Sequence, residues 1–264
     1  MNWRVMAKKD FLDAHRKWSL GTAAVGFVLF LAVPMYLGMS HARNPGTVDF
    51  FGQMGILVFF APLAGLMMSY GAIAAERELG SLKLLLALPY TRRDVIAGKA
   101  VGRAAVVGTA TFVGVFAATV IFLAFGGSLP VVEYVAFLVL VFLLTAAYTS
   151  SAVCLSAASP TSNRAMATSV GFFLLTFLGW SSVPLVIRYV LNGFSSPRGA
   201  PPAWANVIDS LSPVKAYSTG MDTLVHGNAG STFYHTGWFA FLVLVAWAVI
   251  PVVLGYRRFS SVDI

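Results

Sequence analysis

Six stretches of the chain, residues 20–39, 54–75, 104–125, 134–156, 165–187 and 237–256, contain no Asp, Glu, Lys or Arg. Each is about 20 residues long, enough to cross a hydrocarbon core of ~30 Å at about 1.5 Å per helical residue. In that core every backbone N–H and C=O must find its partner within the protein, so runs of this kind fold as helices. Composition agrees. Of 264 residues, 58% are hydrophobic and 11% charged, against about 25% charged in soluble domains. A soluble globule so poor in charge would expose large apolar patches, and disordered chains lack this apolar content. The sequence predicts an all-α membrane protein, a single transmembrane domain of six spans over residues 1–264. The first run is too long and starts too late for a signal peptide, and is expected to be retained.

Lys and Arg positions orient the spans. Arg4, Lys8, Lys9, Arg16, Lys17, Arg77, Lys83, Arg92, Arg93, Lys99, Arg103, Arg164, Arg257 and Arg258 fall on one side, and only Arg43, Arg188, Arg198 and Lys215 on the other. By the positive-inside rule both termini are expected in the cytoplasm of a multi-pass protein of the cell membrane. Topology thus accounts for the net charge of +8, and no nucleic-acid partner is implied.

Segments outside the spans carry further patterns. In residues 1–18, Trp3, Met6, Phe11, Leu12 and Trp18 alternate at helical spacing with Arg4, Lys8, Lys9, Asp10 and Asp13. This predicts a basic amphipathic helix lying in the membrane interface. Residues 188–236 form the longest connection. Val214, Tyr217, Met221, Leu224 and Val225 make a helical stripe there, so short amphipathic helices are expected on the outer surface before the last span.

Several chemistries lack their residues. No GxxxxGK[ST] phosphate loop and no GxSxG elbow occur, and no His or carboxylate lies within a span. No catalytic residue is therefore assigned, and no metal site. Met35, Met39, His41 and Met54 gather near one end of the first two spans and include soft copper ligands, but methionine is more often a filler of cores. Cys154, the single cysteine, is expected to be a small buried apolar residue.

The loop at residues 76–93 reads Glu76-Arg-Glu-Leu-Gly80-Ser-Leu-Lys-Leu-Leu-Leu-Ala-Leu-Pro89-Tyr-Thr91-Arg-Arg-Asp94. Gly80 is suited to end the helix of the second span, and Ser81 to cap a new short one. Pro89 stops that helix, and Thr91 with Asp94 matches a capping box opening the third span. A leucine-rich helix flanked by charges needs a groove for its apolar face, either on a partner or on its own bundle. Lys99 reads as an anchor that snorkels to the interface.

This string, E-R-E-x-G-[ST] followed by L-L-x-x-P-x-[ST]-R-R and G-K, resembles the loop between spans 2 and 3 of ABC-2 type ABC transporter permeases. The similarity is to the group with separate ATPase subunits, which includes the permease of nitrous oxide reductase maturation and related exporters. Leu211-Ser-Pro213 with Tyr217 also resembles the family's segment before span 6. The resemblance implies a permease subunit without its own ATPase site, paired with a second copy, with two ATP-binding subunits and with membrane lipids. It implies no cofactor in this chain, ATP and Mg being held by the partner. It implies that the short helix is a coupling helix, its contact with the ATPase made by Gly80, Ser81, Leu82, Leu84, Leu85, Leu88 and Pro89. Glu76, Arg77, Glu78, Arg92 and Arg93 would set register by charge, or simply solvate and anchor the helix ends. The substrate path is expected near spans 2 and 5, where Phe59, Met67, Tyr70, Phe173 and Phe177 are candidates alongside ordinary packing. The same loop would serve an assembly complex that moves no solute. An unrelated channel or membrane enzyme would need no ATPase at all.

Overall fold

The structure is a computed structural model describing residues 3–86, 90–228 and 230–260, without the side chains of Leu84 and Leu86. Among the described residues the chain is helical, with no strand. Five single helices are long and apolar enough to cross a membrane: Ser19–His41, Phe50–Met67, Arg92–Ala124, Val131–Ala158 and Gly237–Ser260. The fifth apolar run folds as a bent pair, Ser162–Gly179 and Ser182–Leu191, whose axes differ by 74°. Residues 165–187 are therefore not one straight span. Pro184 has no N–H to give the Trp180 carbonyl four residues back, and its ring crowds that carbonyl. A π-helical turn at Leu175–Gly179 precedes the break.

The second span differs at both ends from the expected 54–75. It starts at Phe50, where Asp49 accepts from the Phe51 N–H at 3.0 Å. It ends at Met67, and a short helix follows at Ala74–Glu78. The interruption has a cause 80 residues away. Ser156 Oγ, in the fourth span, accepts from the backbone N–H groups of both Ile73 and Ala74 at 3.0 Å. A polar side chain thus stands in for the preceding turn of helix. Gly80, at φ +70°, ends this short helix rather than the span itself.

Thr91 and Asp94 form the predicted capping box. It opens a helix of 33 residues, about 50 Å long at 1.5 Å per residue and so longer than the core of a membrane. The surplus projects beyond the bundle at the end where the chain's two ends meet. The N-terminal helix Trp3–Arg16 lies across this projection. Gly98 and Gly102, one turn apart, make the notch it occupies. A Cβ on Gly98 would stand 2.5 Å from Met6 Cβ and 2.9 Å from the Trp3 carbonyl, and one on Gly102 2.9 Å from Asp10 Cβ. The expected helix is present, and its buried face, Met6, Asp10 and Ala14, is covered by protein.

Two apolar cores result. The larger, with Leu31, Met35, Met39, Phe50, Met54, Phe137 and Tyr148, fills the spans, so the three methionines named above are core residues. The smaller, with Met6, Ile73, Leu82, Val95, Ile96, Val153 and Phe259, joins both ends of the chain to the charged loop.

Between the fifth and sixth spans lie two helices, Ala203–Ser210 and Pro213–Gly220, the second continuing as a π-helical turn to Val225. The second of these packs into the bundle. Ala216 and Tyr217 are buried, and a Cβ on Gly220 would meet Leu140 of the fourth span at 2.7 Å.

Candidate functional site

The charged loop is built around a buried ion cluster. Lys99 Nζ, on the projecting helix, sits 2.7 Å from Glu76 Oε1 and 3.8 Å from Asp10 Oδ1. Arg103 Nε lies 2.9 Å from Asp10 Oδ2. That approach is off the N–H axis, so the contact is Coulombic rather than a directed hydrogen bond. Arg103 Nη1 also donates to the Met68 carbonyl at 2.9 Å, in the turn that follows the second span. Two cations and two anions thus tie together the N-terminal helix, the third span and the entry to the loop. Lys99 is 2% and Asp10 7% exposed. Lys99 is therefore not a snorkelling anchor. A lysine this deep is tolerated because two carboxylates replace its lost hydration.

A second connection is reciprocal. Ser156 caps the helix Ala74–Glu78 from the fourth span. From that same helix, Arg77 donates to the carbonyls of Ser159 at 2.7 Å and Ala157 at 3.1 Å, at the end of the fourth span. Each helix satisfies the orphan terminal groups of the other. Partial burial lowers the Arg77 pKa, yet a guanidinium stays protonated. Two more charges of the loop find local partners. Glu78 accepts from Ser162 Oγ at the start of the fifth span. Arg92 Nη1 donates to the carbonyls of Phe259, at 2.7 Å, and Ser260.

These contacts place each residue singled out in the loop. Glu76, Arg77 and Arg92 serve intramolecular contacts, while Arg93 is exposed. Leu82 and Leu85, at 0% and 7% exposure, are buried in the smaller core. Packing on the chain's own bundle, one of the two alternatives for this helix, describes these two leucines. Ser81 is the first residue of the helix Ser81–Leu86, not its cap, and its hydroxyl donates back to the Glu76 carbonyl at 3.2 Å. Leu88 and Pro89, and the side chain of Leu84, lie outside the described residues. What faces outward is a different set: Glu78, Leu79, Gly80, Lys83 and Arg93. Leu79 is 80% exposed, a large apolar side chain held out between the helices Ala74–Glu78 and Ser81–Leu86.

Among the candidate path residues, the structure brings three together. Phe59 of the second span lies 5.5 Å from Phe173 and 5.3 Å from Phe177, which stack on each other at 5.2 Å. Such edge-to-face contacts suit the aromatic quadrupole. Met67 is elsewhere, lining an apolar groove of about 440 Å³ between the first and second spans, with Phe30, Phe60 and Leu63. Tyr70 lies in the turn between Met67 and Ala74.

Sequence reasoning missed Leu79, which sits in the quoted string between charged Glu78 and Gly80. Asp10, grouped by the pattern with the charged face of an interfacial helix, is buried, and Gly98 and Gly102 at GxxxG spacing are the signal of that close helix approach. Ser156 gave no signal in sequence.

Comparisons with known proteins agree with this architecture. The profile described as ABC-2 family transporter protein matches residues 4–264. The chain is 26% identical over 211 residues, 75% of either chain, to the probable ABC transporter permease protein NosY of Pseudomonas aeruginosa. A protein of the same name from Stutzerimonas stutzeri is 30% identical over 117 residues, 42% of either chain.

Proposed function

Because this chain belongs to the ABC-2 family of transporter proteins, integral membrane permeases whose ATP-binding subunits are their partners, we propose that it is the permease of an ATP-driven exporter. Two copies form the path, two separate ATPase subunits sit on the cytoplasmic face, and both termini of this chain face them. The observation that carries this reading is the exposed edge Glu78-Leu79-Gly80 with Lys83 and Arg93. It follows the helix Ala74–Glu78, whose start is capped from the fourth span, whose Arg77 holds the end of that span, and whose Glu76 belongs to the ion cluster. A partner that binds there moves a rigid unit, and the unit is linked to spans 2, 3 and 4 at once. An anchor of one large apolar residue ringed by charges of both signs is the pattern of an interface centre.

The test is co-purification from gently solubilised native membranes. Wild-type protein is expected to bring down an ABC-type ATP-binding subunit. Leu79→Asp with Lys83→Glu is expected to lose it while still eluting as a folded species, and Leu82→Asp should lose the fold as well. If the exposed-edge variant retains the ATPase, or wild type recovers none, the coupling reading is wrong.

A further inference from the structure

The piece Ser162–Gly179 has 18 residues and is about 27 Å long at 1.5 Å per residue, close to the ~30 Å of hydrocarbon. A piece of that length suffices to cross, which puts its 74° bend at the far membrane surface and the helix Ser182–Leu191 along it. Leu185, Val186, Tyr189 and Leu191 are exposed on it, as suits a helix at headgroup depth. At its end lies a pocket of about 210 Å³, lined by Arg188, Leu191, Asn192, Pro197, Arg198 and Trp204. Two of the four cations assigned to this side of the membrane thus line one shallow, open depression.

Their charge is uncompensated. Among the described residues Lys99 and Arg103 have carboxylate partners, and neither of these two arginines is found in an ion pair. Asp209, further along the helix that carries Trp204, pairs with neither. Arg188 spends one N–H on the Gly199 carbonyl at 3.2 Å, which leaves most of its five donors for a ligand. The indoles of Trp180 and Trp247 each donate to a backbone carbonyl, whereas Trp204 makes no such bond among the described residues. The lining thus holds two guanidinium groups and an indole N–H, no carboxylate, and Asn192, whose NH2 donates to Ser195. Arginine forks match the oxygens of a phosphate.

We propose that this pocket binds a phosphate oxyanion at the outer membrane surface, the headgroup of an anionic phospholipid whose chains lie along the apolar side of Ser182–Leu191. The site requires that the chain spans a membrane, not that it exports anything.

The experiment is native mass spectrometry of the whole protein in detergent, titrated with phosphatidylglycerol or with phosphatidylcholine. Wild type is expected to retain phosphatidylglycerol preferentially. Arg198→Gln, which removes a group with no partner in the fold, should weaken that retention about fivefold. Arg188→Gln with Arg198→Gln should abolish the preference, and the double lysine variant should keep part of it. Unchanged thermal unfolding of Arg198→Gln shows that the loss is not one of fold. If inorganic phosphate at millimolar concentration displaces the lipid and binds alone, the chemistry stands and the source is the free ion. Equal retention of both lipids by wild type, or an unchanged preference in the double glutamine variant, overturns the proposal.

Discussion

Lys99 Nζ and Glu76 Oε1 stand 2.7 Å apart, joining the third span to the first short helix of the loop across 23 residues of sequence. Asp10 approaches the same lysine from the N-terminal helix at 3.8 Å. Lys99 is the only cation paired with both carboxylates among the described ion pairs. Lys99→Met is expected to lower stability by about 2 kcal/mol, since Glu76 loses its cation and buried Asp10 is left with Arg103 alone. Glu76→Gln should cost less, because Asp10 still faces the ammonium and the Glu76 side chain is 30% exposed. Thermal unfolding in detergent micelles ranks the two, and the opposite order would show that the pair is screened by solvent.

The seat of the N-terminal helix is steric as well as ionic. The Trp3 carbonyl cannot move aside for a Cβ on Gly98 without moving the helix. Gly98→Leu is therefore expected to release residues 3–16 while the spans stay folded. Limited trypsin digestion reads this directly, through faster cleavage at Lys8, Lys9 and Arg16 than in wild type. Gly26→Leu, where an added Cβ meets nothing within 4 Å, serves as the control.

Ser156→Ala removes the acceptor shared by two backbone N–H groups in a buried setting. Each orphaned donor costs about 1–3 kcal/mol, so the variant is expected to loosen the helix Ala74–Glu78 before it affects the spans. Hydrogen exchange should rise at Ile73, Ala74 and the following turn and stay unchanged in the helix Val131–Ala158. Uniform protection would mean that water or a neighbouring group replaces the hydroxyl.

What could be read in the sequence, and what could not, divides along physical lines. Charge-free runs mark spans because a buried charge in hydrocarbon is prohibitive over any stretch of chain, so five of the six runs were legible as single crossing helices, while the bend in the fifth was not. Thr91 with Asp94 was legible for a similar reason: its bonds are local. The end of the second span was not, because it depends on Ser156, a residue on another helix. Apolar side chains also look alike whether they face lipid, a partner or the core. Leu82 and Leu85 turned inward while Leu79 turned outward, and only the placement of Gly80 at φ +70° between them decides which.

The aromatic contact between spans 2 and 5 offers the sharpest test of a path. Phe59 is 36% exposed, whereas Phe173, stacked beside it, is 7% exposed. Truncating Phe173 is expected to cost about 3 kcal/mol through the cavity it leaves, and truncating Phe59 much less. Exposure alone does not separate lipid from an aqueous path, but thiol chemistry does. Alkylation by a charged maleimide needs a thiolate, and a thiolate needs water. In a Cys154→Ser background no other thiol is present. Phe59→Cys is then expected to react in proteoliposomes when the ATPase subunits and ATP are added, and to be protected when ATP is withheld. A thiol at 59 that never reacts, under conditions where one in the exposed loop at 196 does, would assign Phe59 to packing and move the path elsewhere.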